Sequence, residues 1–165
     1  MSERPADNGR LPSGVKRVHT IPSEPEAVTR LVHEALEYLE LYQWEEKEVF
    51  GIHLAVEEAV VNAAKHGNKY DPAKLINVAY EVSPEKFDIR VEDEGPGFDP
   101  EAVPDPTLDE NLDKPSGRGL LMMRMYMNSV EYLGRGNVIQ MHKLRGVPPE
   151  AQFADDDDDD DVWAD

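Results

Sequence analysis

Between Glu45 and Gly67 the apolar residues Ile52, Val56, Ala59, Val60 and Ala63 recur three and four positions apart, and a glycine closes the run. That period gives a helix with one apolar stripe, running from near Glu45 to Gly67. Shortly afterwards the period changes to two. Ile76–Val82 and Lys86 to Asp93 alternate apolar with polar residues, and Ser83-Pro84-Glu85 lies between them. Two alternating runs joined by so short a turn predict an antiparallel hairpin with one buried face. A striped helix ahead of a one-faced hairpin points to helices packed on a sheet.

The remaining segments agree with this plan. Val15 to Ile21 alternates and predicts a strand. Ser23 precedes a second helical stripe of Val28, Leu31, Val32, Ala35, Leu36 and Leu39, with Glu24 and Glu26 at its start. Asn68 to Pro72 is a turn. Gly95 to Gly117 carries prolines and acids without apolar periodicity, which inside a compact domain points to a functional lid or a tolerated insertion. A helix is expected to open at Gly117-Arg118-Gly119, carrying Leu120, Leu121, Met123, Arg124 and Met127. Ser129–Leu133 and Asn137 to Leu144 then read as strands turned at Gly134-Arg135-Gly136. The fold class is therefore α+β, a two-layer sandwich: a mixed, mostly antiparallel sheet of about five strands, covered on one face by about three helices.

Charge and composition narrow the function. The chain has 165 residues, no cysteine and a net charge of −18. The missing cysteine excludes disulfides, thiolate metal sites and thiol catalysis. The negative charge argues against binding nucleic acid or an anionic membrane. No signal peptide or spanning segment is evident, so a cytoplasmic location is expected. Eight of the 35 acidic residues fall between Asp155 and Asp165, seven of them consecutive. Such a run repels itself, and residues 147–165 are expected to form a disordered acidic tail that is solvating or contacts a basic partner. Residues 1–13 are expected to be a disordered arm, which leaves 14–146 as the folded domain.

Three short motifs carry chemistry. Glu58 and Asn62 are four apart and share a helical face, so an amide oxygen can sit on a hard cation while the carboxylate orients or deprotonates a hydroxyl. Asp93-Glu94-Gly95-Pro96-Gly97 follows a strand. Asp93 can accept from the exocyclic amine of a base, and Gly95 and Gly97 let a flat ring approach; an ordinary strand-ending turn would also account for the motif. Gly117, Arg118 and Gly119 open a helix whose bare N–H groups suit a phosphate, although helix entry alone explains a Gly-x-Gly. His66 reads as a helix-end cap or packing residue. The other histidines show no zinc-like grouping.

Taken in order, Glu58-x-x-x-Asn62, Asp93-x-Gly95-x-Gly97, a long lid and Gly117-x-Gly119 resemble the ATP-binding fold of gyrase, histidine kinases and their relatives, the GHKL or Bergerat fold. Glu58-Ala-Val-Val-Asn-Ala-Ala-Lys-His-Gly and Gly117-Arg-Gly-Leu-Leu-Met-Met look most like the small bacterial anti-sigma-factor serine/threonine kinases. The resemblance spans roughly residues 15 to 145. It implies ATP and Mg²⁺ as cofactors, with Asn62 holding Mg²⁺ and Glu58 the general base. Asp93 would read adenine, Gly95 and Gly97 would shape the base pocket, and Gly117, Arg118 and Gly119 would meet phosphate. Two positions depart from the pattern. Asn137 stands where relatives often have a threonine bonded towards the adenine aspartate. Lys114-Pro115-Ser116 stands where anti-sigma kinases can carry an arginine, so Arg118 or Lys114 would have to face the γ-phosphate.

The function implied is an ATP-dependent protein kinase that phosphorylates a small antagonist protein and regulates a sigma factor by partner switching. The alternative is a non-catalytic module that binds nucleotide and a partner without transferring phosphate. Glu58 favours the kinase, because nucleotide binding alone needs no base beside the metal amide. The resemblance leaves a homodimer open and implies no contact with nucleic acid or membrane.

Overall fold

The computed structural model describes residues 10–97 and 117–149. The first part of the expected N-terminal arm (1–9), most of the expected lid (98–116, with Lys114, Pro115 and Ser116) and the aspartate run within 150–165 lie outside the described residues. In chain order the elements are β1 (Val15–Pro22), α1 (Pro25–Leu41), α2 (Glu46–Asn62), a π-helical turn (Ala63–Gly67), β2 (Leu75–Val82), β3 (Lys86–Glu92), α3 (Gly117–Tyr126), β4 (Ser129–Leu133) and β5 (Val138–Leu144).

The strands form one sheet in the order β1-β2-β3-β5-β4. Every neighbouring pair is antiparallel, so the parallel component allowed for from the sequence is absent among the described strands. The α1–α2 pair brings the chain back beside β1 in the opposite direction, and two hairpins supply the rest. Alternation does what the pleat requires. Ile76, Val78, Tyr80 and Val82 on β2, and Phe87, Ile89 and Val91 on β3, are buried. Their neighbours in sequence face solvent, where Lys86 bridges to Asp88 at 3.2 Å and to Glu81 at 3.7 Å. Leu31, Val32, Ala35 and Leu39 of α1 and Ile52, Val56, Ala59 and Val60 of α2 close the same core.

Two local features differ from the simplest expectation. Ser23 does not cap α1: Glu24 holds the cap position without a side-chain bond, and Pro25 provides a preset first turn. Ser23 Oγ instead donates to Lys74 O at 2.8 Å and accepts from Asn68 Nδ2 at 2.9 Å. The central helix does not stop at Gly67 through a left-handed glycine either. It widens into the π-helical turn and is followed by Asn68 at φ −89°, with positive φ only at Lys69 and Tyr70.

At the opposite end of the sheet, Arg145 gathers the α1–α2 corner and the β2–β3 turn. It donates to Tyr42 O at 3.0 Å and to Pro84 O at 3.2 Å, and it also reaches Gln43 O. Tyr42 Oη donates to Pro12 O at 2.9 Å, and Asn128 Nδ2 reaches Val147 O and Pro148 O. These ties fix the ends of the helices that carry the candidate residues.

Candidate nucleotide site

The last turns of α2, the loop after β3 and the first turn of α3 come from stretches distant in the sequence, and they meet at one end of the sheet. Glycines mark the contacts. A Cβ on Gly119 would lie 2.1 Å from Glu58 Oε1, so the start of α3 rests directly on that carboxylate. Seven residues earlier on α2 and seven later on α3, Gly51 and Tyr126 repeat the arrangement: a Cβ on Gly51 would lie 2.7 Å from the Tyr126 ring. Phe50 packs edge-on against the same ring at 6.4 Å. Two helices touching at both ends of a two-turn interval are fixed in register, and that register puts Gly119 against Glu58.

Glu58 Oε1 accepts from Asn62 Nδ2 at 3.1 Å. The predicted i, i+4 pair is therefore a real contact, and its orientation leaves the amide oxygen of Asn62 as the atom for a hard cation. Gly117 is the first residue of α3 and Arg118 is exposed beside it. The N–H groups of this first turn have no carbonyl four residues back to satisfy them within the helix. The donor set suits phosphate, and an amide oxygen beside it suits Mg²⁺ shared with phosphate oxygens. Among the described residues no cluster of three or more His, Cys, Asp or Glu could hold a metal without such help.

Gly67 belongs to Asp93. A Cβ there would fall 2.3 Å from Asp93 Cγ, so the helix end needs glycine for close approach and not for an unusual φ. Gly95 N donates to Asp93 Oδ1 at 2.8 Å. Burial pushes the Asp93 carboxyl above its ordinary value, while this N–H and the guanidinium of Arg135 oppose the shift. Gly95 and Gly97 are glycines for a protein reason. A Cβ on Gly95 would meet Gly67 O at 2.1 Å, and one on Gly97 would meet Arg135 O at 1.9 Å. Room for a flat ring is thus not needed to account for either.

Three residues of this region were not singled out from the sequence as site residues. Asn68 is fully buried, donating to Ser23 Oγ and, at 3.0 Å, to Leu75 O, and accepting from Glu94 N at 2.8 Å. It ties the end of α2 to the loop carrying Asp93. Tyr132 of β4 has its phenol held above the usual range, by burial first and then by the charge of Glu58, with Asp93 adding to the shift and Arg124 opposing it. Both carboxylates therefore act on a single side chain. Arg135 Nε donates to Gly95 O at 2.9 Å. The available signals were faint: an asparagine after a helix-ending glycine, and an arginine between two glycines.

A protein with this antiparallel sheet, its helices on one face and these three motifs at one end is of the histidine-kinase-like ATPase class. Residues 21–143 match the family of histidine kinase-like ATPase domains, and the chain belongs to that family. Among curated proteins it is similar to the serine-protein kinase RsbW of Staphylococcus aureus strains JH9 and Newman. Each is 35% identical over 98 residues, which is 54% of this chain and 62% of the relative. The match thus spans less than two thirds of those relatives. Among solved structures, that of the RsbU and RsbW domains of Rv1364c from Mycobacterium tuberculosis superposes with a TM-score of 0.54 at 15% identity, covering 82% of this chain and 34% of that one, and shares the fold. Among the described residues no helix is long and apolar enough to cross a membrane.

Proposed function

We propose that the chain is an ATP-dependent protein serine/threonine kinase of the anti-sigma-factor type, acting on a small antagonist protein and regulating a sigma factor by partner switching. The observation that carries the proposal is the convergence of three motifs, with Gly119 seated on Glu58 and Gly67 on Asp93. The names of the RsbW relatives support it. In this reading Asp93 accepts from the adenine amine, and the loop of Gly95 and Gly97 walls the base. Gly117, Arg118 and Gly119 meet the phosphates at the α3 N-terminus, and Asn62 Oδ1 ligates Mg²⁺. The domain would run from 14 to 146, between an arm (1–13) and an acidic tail (147–165), in the cytoplasm.

The chemistry asked of the protein is positioning and charge neutralisation, with one group to take a proton. Mg²⁺, when bound, neutralises charge on the phosphate oxygens. Glu58 takes the proton from a serine or threonine hydroxyl of the partner as that oxygen bonds to the γ-phosphorus. The bond from the γ-phosphorus to the bridging oxygen breaks, and ADP leaves with the electron pair. Asn62, by donating to Glu58 Oε1, orients the carboxylate for that task.

Capture of partners from the native cell with ATP or ADP present, followed by mapping of phosphorylated residues, tests the proposal. A captured protein that gains phosphate on serine or threonine in an ATP- and Mg²⁺-dependent way supports it. A partner captured in a nucleotide-dependent way but never phosphorylated replaces it with the switch-module reading, which the absence of an arginine at 114–116 favours.

A further inference from the structure

The β4–β5 turn does more than reverse the chain. Gly134 and Gly136 both lie at positive φ, 62° and 87°, and between them Arg135 reaches back onto the loop after β3. Its Nε donates to Gly95 O at 2.9 Å. Its carbonyl fills the place of the missing Cβ of Gly97, which itself lies at φ 77°. Two residues along, Asn137 is bonded to the backbone of Asp93 in both directions. One short turn thus grips three residues of a loop about 40 positions earlier.

We infer that Arg135 is a positioning residue of the base pocket, clamping the 93–97 loop through the Gly95 carbonyl and bringing a positive charge near Asp93. This rests on the reading of Asp93 as the acceptor for the adenine amine. An acceptor for an N–H donor works as a carboxylate, since a protonated carboxyl can turn a donor towards a donor. Asp93 is half-buried and feels charge from several sides: Glu92 on β3, Lys74 ahead of β2, Tyr132 on β4 and Arg135 on the turn. Burial and Glu92 favour the neutral acid; the Gly95 N–H, Arg135 and Lys74 favour the anion. Arg135 outweighs Lys74 among the cations, and it also bonds to the loop it neutralises. Geometry and charge are supplied by the same side chain.

The test compares wild type with Arg135→Met, which keeps the aliphatic stem, and Arg135→Lys, which keeps the charge without the planar fork. ADP affinity is measured by calorimetry, and the Asp93 carboxyl is titrated by NMR in nucleotide-free protein. Arg135→Met is expected to weaken ADP about tenfold, the scale of a lost charge-assisted hydrogen bond, and to move the Asp93 midpoint to higher pH. Arg135→Lys is expected to restore the midpoint without restoring the affinity. A purely structural role would leave the midpoint in place. An unmoved midpoint in Arg135→Met, whatever its affinity, or wild-type affinity overturns the proposal alone. A wild type that binds no ADP overturns the base-pocket reading and this proposal with it. Should the Met variant fail to fold, Arg135→Gln, which also removes the charge but keeps a polar end, decides: a midpoint moved to higher pH with several-fold weaker ADP supports the assignment, and an unmoved midpoint or undiminished affinity overturns it.

Discussion

Asp93 and Asn137 hold each other by two hydrogen bonds of 2.9 Å: the Asp93 N–H donates to Asn137 O, and Asn137 Nδ2 donates to the Asp93 carbonyl. The β3–β5 ladder, whose last paired residues are Glu92 and Val138, is thereby extended one step into the loop. The backbone of Asp93 is fixed by the sheet, and its carboxyl group lies against Gly67 and accepts from the Gly95 N–H. Asn137 is buried, and Asn137→Ala removes the side-chain donor to the Asp93 carbonyl, which is expected to cost about 1–2 kcal/mol of stability. Asn137→Thr can donate a hydroxyl to the same carbonyl and should recover most of that. Urea unfolding of the two variants checks the order; equal stability of Asn137→Ala and wild type would show the side-chain bond to be dispensable.

Asp93 itself should trade stability for binding. Burial places its folded-state pKa above the ordinary value of 3.8. Across the window from that value upward the native state binds more protons than the unfolded chain, so ionising Asp93 lowers stability as pH rises. Asp93→Asn removes this cost while keeping an oxygen for the Gly95 N–H. The nucleotide-free variant is expected to melt at or above the wild-type temperature at pH 7, with the advantage gone below about pH 3, where both states of the wild type are protonated. ADP affinity should nevertheless fall by about 10–100-fold, because an amide can present a donor to the adenine amine. Calorimetry and melts at two pH values separate the effects; retained affinity removes Asp93 from base recognition.

The glycines divide into two kinds. In Gly119→Ala the new methyl meets Glu58 Oε1, the far end of a flexible side chain. The fold should therefore survive with a loss of about 1 kcal/mol or less, while Glu58 is displaced and phosphate transfer suffers. In Gly95→Ala the methyl meets the Gly67 carbonyl, which is backbone and cannot swing aside. That variant is expected to lose several kcal/mol, on the order of the larger single-site losses. Thermal melts and circular dichroism check both; a Gly119→Ala protein as damaged as Gly95→Ala would mean that α3 cannot shift around Glu58.

The contrast shows what could be read in advance. Helices, strands and the hairpin were legible because they depend on local periodicity, and the stripes of α1 and α2 and the alternation of β2 and β3 face where period dictates. The motifs carrying Glu58, Asn62, Asp93 and Gly119 were legible as types. Their mutual fit was not, because it depends on which distant atom fills a missing Cβ: Asp93 at Gly67, Gly67 at Gly95, Arg135 at Gly97. Nor could the sequence reveal that Ser23, just ahead of α1, would bond Lys74 and Asn68, some 45 to 51 residues away, with Glu24 at the cap position. A buried asparagine satisfied by three segments looks, in sequence, like any turn residue.

The last prediction concerns Glu58. Glu58→Gln keeps the length, shape and helix propensity of the side chain, and its amide oxygen can still accept from Asn62 Nδ2. What it loses is the capacity to take a proton. If Glu58 is the base, phosphate transfer to a captured partner should fall roughly 10²–10⁴-fold, with ADP affinity near that of wild type because neither the base contact nor the α3 N-terminus has changed. Asn62→Asp should separate from it. A second carboxylate beside Glu58 adds charge at the cation position and replaces the donor of the 3.1 Å bond with a repelling oxygen, so Mg²⁺ dependence and turnover should both change. Circular dichroism and ADP calorimetry on each variant guard against a shared folding defect, since the two residues occupy one helical face. Wild-type transfer by Glu58→Gln would rule out the general-base role and leave α2 with a purely structural carboxylate at the foot of α3.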